Sequence, residues 1–459
     1  DWRMPPVSII RQGSLFDLQE LYDLEPTQRF EAILTAIDIQ PILQVVSKKS
    51  TYGAPVQLNY PAMIHALIVR IIERIPTIKD LIKRLKHDFI FRLDCGFLLS
   101  DTIPSEASFS RLITKISASN ALEHVQETLL HQAISEGFIT DDTGAIDATH
   151  IEARDRALGK AEKLKQEPKK KRGRKPKSER EQWLKEQAER EANLPLYEKK
   201  IADQLDVSLE ELRTSVPQEP KWGVKKNSEG QNVFWFGYKG HLAVGTSSQY
   251  ILQSLVSSGN LNDGKVAIPL LKGLHERLSL PHLRYAVMDA GYDYEPIYEQ
   301  IHRLGYRAVI AYNKRNEPEP IGFDKYFAPT CVREHSYRYD SFDQTYETLK
   351  YTRPKECQDC PLANDDLCQK VYKVKITTDL RRYTAPARGS KTWQDIYKKR
   401  TAIERVIAYL KEFFQLNNVR YRTGKRAKVH FDLSVLVYNA AKLACDRINQ
   451  EMEQQSQAA

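Results

Sequence analysis

The chain of 459 residues lacks any long apolar run. No stretch of about 18 consecutive apolar residues occurs, which excludes a transmembrane helix of ordinary length. Residues 1–6 also lack the apolar core of a secretory signal, so neither secretion nor a membrane partner is expected. Cysteine is scarce, with six residues in all, and this argues against a disulfide-rich secreted scaffold.

Charge and length set the remaining bounds. Lysine and arginine outnumber aspartate and glutamate by 69 to 60, which gives a formal net charge of +9. A basic balance favours a polyanionic partner, nucleic acid before membrane. The hydrophobic content of 41% is sufficient for sizeable cores. The length predicts about two to four domains.

One segment near the C-terminus concentrates residues suited to phosphate chemistry. Residues 397–411 contain no Gly or Pro and repeat apolar residues at helical spacing, which predicts a helix. At about 100° per residue, four side chains fall within about 60° of one helix face. They are Tyr397, Arg400, Glu404 and Lys411. A metal-binding carboxylate flanked by cations that grip phosphates is typical of an enzyme that cuts a phosphodiester.

Two aspartates follow apolar residues in predicted strands. Asp147 lies in the strand predicted for residues 142–154, on a face that period-2 alternation should half bury. Asp289 ends a largely apolar strand, where α/β folds place active-site groups. Buried carboxylates need a partner or a metal. Together with Glu404, these two acids would provide the oxygen ligands that two Mg²⁺ ions prefer.

At these residues the chain resembles the DDE transposases of bacterial insertion sequences, in the group with a Tyr-x2-Arg-x3-Glu-x6-Lys signature. Residues 397–411 carry that signature with its full spacing. The strand around Asp147 resembles the first-aspartate strand of the family, and residues 289–293 resemble its second, with Asp-x-Gly-Tyr. Residues 238–241 and 260–263 resemble further recurring segments.

The resemblance implies a fold class and a set of roles. The fold would be α/β: an RNase H-like mixed sheet flanked by helices, with an N-terminal helical domain and two insertions. Asp147, Asp289 and Glu404 would be the catalytic acids that bind two Mg²⁺ or Mn²⁺ ions. Arg400 and Lys411 would contact DNA phosphates, with Lys239 as a further DNA-binding residue. Tyr397 would pack or hydrogen-bond beside the transferred DNA end.

Composition and pattern divide the chain into four parts. A helical N-terminal domain for DNA binding or dimerisation is predicted over 1–135, with helix starts at Pro61, Thr77 and Ser105. The remaining parts are the RNase H-like core over 136–157, 231–318 and 386–450, a charged insertion over 158–230, and a cysteine-containing insertion over 319–385. The charged insertion is expected to have little core of its own.

The charged insertion contains a basic arm. Seven of the nine residues over 169–177 are Lys or Arg. Arg172, Gly173 and Arg174 resemble the core of an AT-hook, which lays arginines in the narrow A·T minor groove. In an AT-hook the second arginine is followed directly by proline, whereas here Lys175 intervenes. Two interpretations therefore stay open: minor-groove binding through Arg172 and Arg174, and a generic basic tail that binds phosphates.

Four of the six cysteines cluster in the second insertion. They are Cys331, Cys357, Cys360 and Cys368. Four thiolates can hold a tetrahedral Zn²⁺, and a structural zinc would help a polar insertion to fold. His335 could replace one thiol, and unliganded reduced cysteines are the alternative.

The sequence therefore predicts a Mg²⁺-dependent DNA transposase that cleaves and transfers strands. Its partners would be double-stranded DNA, both terminal inverted repeats and target, and a second copy in a homodimer. The expected location is the bacterial cytoplasm, in association with the nucleoid. Two alternatives stay open: a domesticated DNA-binding protein that does not cut, and a stand-alone RNase H-like nuclease without strand transfer.

Overall fold

The computed structural model describes residues 16–47, 58–157, 177–226, 229–318, 320–363 and 368–458. The chain divides into two compact units. The helical unit comprises Asp1–Ile139, Ala408–Tyr421 and Lys425–Ala459, and the sheet unit comprises Thr140–Ile407 and Arg422–Gly424. Within the described ranges, no helix combines the length and the apolar character that crossing a membrane requires.

The regular elements are numbered in chain order. The helices are α1 Leu18–Asp23, α2 Pro26–Leu34, α3 Gln40–Val46, α4 Tyr60–Ile72, α5 Ile78–His87, α6 Phe89–Asp94, α7 Glu106–Ser117, α8 Ala121–Ser135, α9 Lys177–Ala192, α10 Leu209–Thr214, α11 Gly264–Arg277, α12 Glu295–Arg303, α13 Lys391–Lys398, α14 Thr401–Glu412 and α15 Gly424–Ala458. The strands are β1 Thr143–Glu152, β2 Lys221–Lys226, β3 Asn232–Gly245, β4 Ile251–Ser258, β5 Tyr285–Met288, β6 Arg307–Ile310, β7 Arg338–Asp343, β8 Thr348–Thr352 and β9 Val371–Lys375.

In the helical unit, local sequence sets where the helices begin. The side chain of Thr77 accepts a hydrogen bond from the backbone of Asp80, and Ser105 does the same for Ser108. Pro61 lies in the first turn of α4, where its missing N–H has no helical partner to lose. These three predicted helix starts are confirmed. Helix α4 is buried on nearly all sides, which makes it the central helix of this unit.

Helix α15 belongs to the helical unit. The prediction from the sequence instead assigns residues 386–450 to the RNase H-like core. Two ion pairs tie α15 to α8. Lys428 contacts Glu123 at 3.0 Å, and Arg447 contacts Glu136 at 2.5 Å. The partners lie about 300 residues apart in sequence, so no local pattern identifies them.

The sheet unit is built on a mixed sheet, in agreement with the predicted fold class. Its strand order is β2-β3-β1-β5-β6, and β4 pairs with β3. Strand β1 is antiparallel to β3 and parallel to β5. Helix α11 contacts β3 and β4, while α13 contacts β5 and β6. This arrangement is consistent with an RNase H-like fold.

The charged insertion differs from the prediction in its second half. Residues 158–176, with Arg172 and Arg174, lie outside the described residues. Further along, the segment bears a set of buried apolar side chains, and its elements contact α11. They are Tyr197, Ile201, Leu205, Leu209, Leu212 and Val216. Strand β2 then joins the main sheet, so residues 197–226 are integrated into the unit.

The cysteine-containing insertion forms a second, three-stranded sheet of order β7-β8-β9. It has an apolar core in which Leu349 and Tyr351 are almost fully buried. The sequence of this insertion predicts few apolar residues and a structural zinc ion that would help it to fold. The observed core shows that metal is not the sole source of stability for this sheet.

A buried carboxylate joins three segments of the sheet unit. Asp293 has a fully buried side chain. It accepts hydrogen bonds from the Tyr298 hydroxyl at 2.7 Å, the Asn313 backbone N–H at 2.9 Å, and Arg381 Nη2 at 2.7 Å and Nε at 3.0 Å. Because a buried charge needs complete pairing, this cluster fixes the turn after β5 to the segment before α13.

Replacing Asp293 by alanine should destabilise the protein by about 3–5 kcal/mol, because Arg381 would keep its charge in a buried place with half its partners gone. Urea unfolding of the wild type and of Asp293→Ala measures the difference.

A matched control is the exposed pair between Arg303 and Asp206, which has a similar N–O distance of 2.8 Å. Its aspartate is 89% exposed, so Asp206→Ala should change stability by less than about 0.5 kcal/mol. Equal losses for the two variants would contradict the role given to burial.

Candidate active site

Strand register brings the two predicted aspartates together. Strands β1 and β5 run in parallel, with Ile146 opposite Met288. Asp147 and Asp289 each follow by one residue, so they lie side by side at the same level of the sheet. Glu404 lies in the first turn of α14, with a half-exposed side chain.

Arg400 connects the sheet to the helix. Its Nη1 donates to Asp147 Oδ2 at 3.0 Å, and its Nη2 donates to Glu404 Oε1 at 2.5 Å. One planar guanidinium can serve two carboxylates because its donors form a fixed fork. The three predicted groups Asp147, Arg400 and Glu404 are therefore in direct contact.

The predicted single helix over 397–411 is wrong. Helix α13 ends at Lys398 and α14 begins at Thr401, with a turn at Lys399 and Arg400. The turn lets Lys399 Nζ reach Asp142 at 2.8 Å, a tertiary contact that overrides the local helical propensity. Tyr397 stacks on Trp393, with ring centroids 5.0 Å apart and an interplanar angle of 11°.

Asp147 and Asp289 repel each other electrostatically, and both are largely buried. The pKa of Asp147 is raised to about 6, chiefly by burial and also by the charge of Asp289, against the opposing effects of the Ala148 backbone N–H and Arg400. Burial likewise raises the pKa of Asp289, although the Gly291 N–H and Arg400 act in the other direction. Crowded carboxylates of this kind favour the binding of a cation.

A further acid, Asp263, was not predicted as part of the site. Its charge raises the pKa of both Asp147 and Asp289, which places it in their electrostatic neighbourhood. Lys239 Nζ contacts Asp263 Oδ1 at 2.8 Å and the Leu261 carbonyl at 2.8 Å. Lys239, a predicted DNA contact, is thus mostly buried in an ion pair. The only sequence signal for Asp263 was its place in the family-like segment 260–263.

The donor set fits divalent cations. It consists of carboxylate oxygens, the ligands that Mg²⁺ and Mn²⁺ prefer. The Tyr292 hydroxyl is buried beside Asp263, Asp147 and Asp289 and has no hydrogen-bond partner. A water molecule of a hydrated ion could form the hydrogen bond that this hydroxyl lacks. Across the described ranges, no group of three or more His, Cys, Asp or Glu side chains is already arranged to hold a metal.

The structure does not bring the other predicted DNA-binding residues into this cluster within the residues it describes. Lys411 lies seven residues beyond Glu404 on α14, a separation of about 10 Å along the axis. Arg172 and Arg174 fall outside the described residues.

The four clustered cysteines come near one another without forming a disulfide. Burial raises the pKa of the Cys357 thiol, and the charges of Cys368, Cys331 and Cys360 add to that increase. The pKa of Cys360 is lowered by the Leu362 backbone N–H and by Arg333, whose Nη1 lies 3.9 Å from the sulfur.

Two family models match the chain. Residues 212–440 match the transposase DDE domain, and residues 19–115 match a transposase domain (DUF772). No curated protein matches the sequence. The two matches support a transposase of the DDE type. The matched DDE range contains Asp289 and Glu404, while Asp147 precedes it.

Asp147→Asn should stabilise the protein by about 3 kcal/mol at pH 8, because the folded state raises the pKa of this carboxyl and so disfavours its ionised form. The gain should shrink as the pH falls below about 6 and vanish near 4, where Asp147 is protonated in both states. Urea unfolding across this pH range measures it.

Asp142 provides a control of opposite sign. Burial raises its pKa, but hydrogen bonds from Lys399 and Thr143 outweigh that effect and hold the pKa below its usual value. Asp142→Asn should therefore destabilise the protein at pH 8, and the loss should fade in acid. If both variants shift stability in the same direction, the charge argument fails.

Proposed function

We propose that this protein is a DNA transposase that cleaves and joins strands at the ends of an insertion sequence. The observation that carries the proposal is the contact of Asp147 and Glu404 through Arg400, with Asp289 beside Asp147 in the sheet. Two transposase domain matches support the same conclusion. The protein would act as a homodimer on two paired DNA ends.

Each group at the site has a task in phosphoryl transfer. Two Mg²⁺ or Mn²⁺ ions, when bound, would polarise the scissile phosphate and neutralise charge on its oxygens. Asp147, Asp289 and Glu404 would hold them through carboxylate oxygens. Arg400 would exchange its carboxylate contacts for a phosphate oxygen. Tyr397 is held in place by its stack on Trp393, and its hydrogen bond to Arg400 would orient that side chain.

The reaction would have two steps of the same kind. Water attacks the phosphorus, the bond to the 3′ oxygen breaks, and a 3′-OH is released. That hydroxyl then attacks a second phosphodiester, in the opposite strand or in target DNA, and joins to its phosphorus as the bond to that strand's own 3′ oxygen breaks and this oxygen leaves as a 3′-OH. Because both steps are displacements at phosphorus, one set of carboxylates can serve both.

Asp289→Asn and Glu404→Gln should each reduce strand cleavage by about a thousandfold, because each removes a charged oxygen ligand. The substrate is a duplex that carries the inverted repeats flanking the coding region, assayed with Mg²⁺ and with a chelator. Joined products separate a transposase from a nuclease that only cuts.

Glu412→Gln is the matched control, since Glu412 is an exposed acid on the same helix as Glu404. It should cleave as well as the wild type. Wild-type rates in Asp289→Asn or Glu404→Gln would refute the site assignment, and a wild-type protein that binds the repeats without cutting would indicate a domesticated DNA-binding protein.

We further propose that the cysteine cluster binds a structural Zn²⁺. The mutual influence of the four thiols on the pKa of Cys357 supports their proximity. The Leu362 N–H directed at the Cys360 sulfur would stabilise a thiolate ligand. Zinc binding would draw the sulfurs to about 2.3 Å from one ion.

Metal analysis of the purified protein should find about one zinc per chain. Cys360→Ala should lose it, whereas Cys445→Ala, a buried cysteine of the helical unit, should retain it. Less than about half an equivalent in the wild type would count against the site.

A further inference from the structure

The exposed aromatic residues of the main sheet are concentrated in one ribbon. Residues 221–226 of β2 pair with residues 232–237 of β3, and within the ladders residues 232–236 pair only with β2. We define residues 221–226 and 232–236 as the β2–β3 ribbon. Trp222 is 58% exposed and Phe234 is 63% exposed. Side chains of this size normally bury most of their surface, so this exposure indicates a binding surface.

The apolar side chains of the ribbon share one face. Trp222 lies opposite Phe236, and Val224 lies opposite Phe234. Opposed residues of an antiparallel pair point to the same side of a sheet. These four side chains therefore form one continuous apolar strip, and the rings of Trp222 and Phe236 lie 5.6 Å apart.

That face is continuous with the one that carries Asp147. Along β3, alternate residues from Phe234 to Leu242 point to the same side, and Leu242 lies opposite Asp147. Trp222, opposite Phe236, is six residues along β3 from this level, a distance of about 20 Å. The strip therefore lies within reach of a DNA strand that runs through the proposed active site.

The charged residues within the two strands of the ribbon are of one sign: three exposed lysines and no acidic residue. By strand alternation Lys226 shares the face of Trp222 and Val224. Lys221 and Lys225 point to the other face, where Lys225 Nζ lies 3.0 Å from His150 Nδ1. A second copy of the same surface would set lysines against lysines in a symmetric contact, which is unfavourable. A polyanion with flat apolar faces matches both the charge and the aromatic rings.

We propose that the β2–β3 ribbon binds unpaired nucleotides of the DNA strand, with Trp222 and Phe234 stacked on bases and Lys226 on a phosphate. Aromatic rings interleaved with lysines are the usual surface for single strands, because bases within a duplex already stack on one another. This inference rests on the proposed function, which supplies DNA as the partner.

The test compares two probes, an oligo(dT) and a blunt duplex, each about 20 nucleotides long. The double variant Trp222→Ala/Phe234→Ala should bind oligo(dT) about a hundredfold more weakly in fluorescence anisotropy, since each stacked ring contributes about tenfold or more. Its affinity for the duplex should change by less than about threefold. Trp222→Phe should retain most of the oligo(dT) affinity.

Tyr346→Ala is the control, because Tyr346 is an aromatic residue 70% exposed in the turn between β7 and β8. It should leave both affinities unchanged. Lys226→Gln should lower the salt dependence of oligo(dT) binding by about 0.7 in the log–log slope.

The outcomes separate this inference from the proposed function. If the wild type cleaves its terminal duplex but the double variant binds oligo(dT) as tightly as the wild type does, only the proposed role of the ribbon is overturned. Equal losses of affinity for oligo(dT) and for the duplex in the double variant also overturn that role. A changed oligomeric state of the double variant in light scattering overturns it too, and would indicate that a second copy of the protein occupies the ribbon. A wild type that neither binds nor cleaves DNA overturns both.

Discussion

The charge balance of the site depends on one guanidinium. Arg400 contacts Asp147 on the sheet and Glu404 on the helix, and its charge lowers the pKa of Asp289 as well. Without a cation at this point, buried acids would face one another with only backbone N–H groups to offset their repulsion. The candidate site therefore contains a destabilising cluster of acids. Their repulsion is offset by the positive charge of Arg400, whose guanidinium can also bind phosphate.

The sheet supplies the precision of this arrangement. The parallel register of β1 and β5 sets Asp147 beside Asp289, and a slip by one residue would turn one of them to the opposite face. Register is secured on the other side by nine antiparallel pairs between β1 and β3. Asp293 then anchors the turn that follows Asp289 to Arg381, so the loop that carries the second acid cannot drift from the strand.

Local patterns revealed more of the fold than of the site. The caps at Thr77 and Ser105 follow from residues within one helical turn, so the sequence predicts them well. The turn at Lys399 does not follow, because it depends on Asp142, which lies 257 residues away. For the same reason Asp263 was missed, since only the folded chain brings it near the two aspartates. Asp147, Asp289 and Glu404 could be proposed from the sequence because their surroundings, apolar strand ends and a basic helix face, are visible in it.

The helical unit is discontinuous, with Asp1–Ile139 at one end of the chain and Lys425–Ala459 at the other. During translation its first helices leave the ribosome long before α15 exists, and they expose the apolar surface that α15 later covers. Residues 140–407 can meanwhile complete most of their own sheet. Ion pairs such as Arg447 with Glu136 can therefore form only after α15 has been synthesised. The helical unit cannot complete its packing until the whole of the sheet unit, which lies between its two parts in the sequence, has left the ribosome.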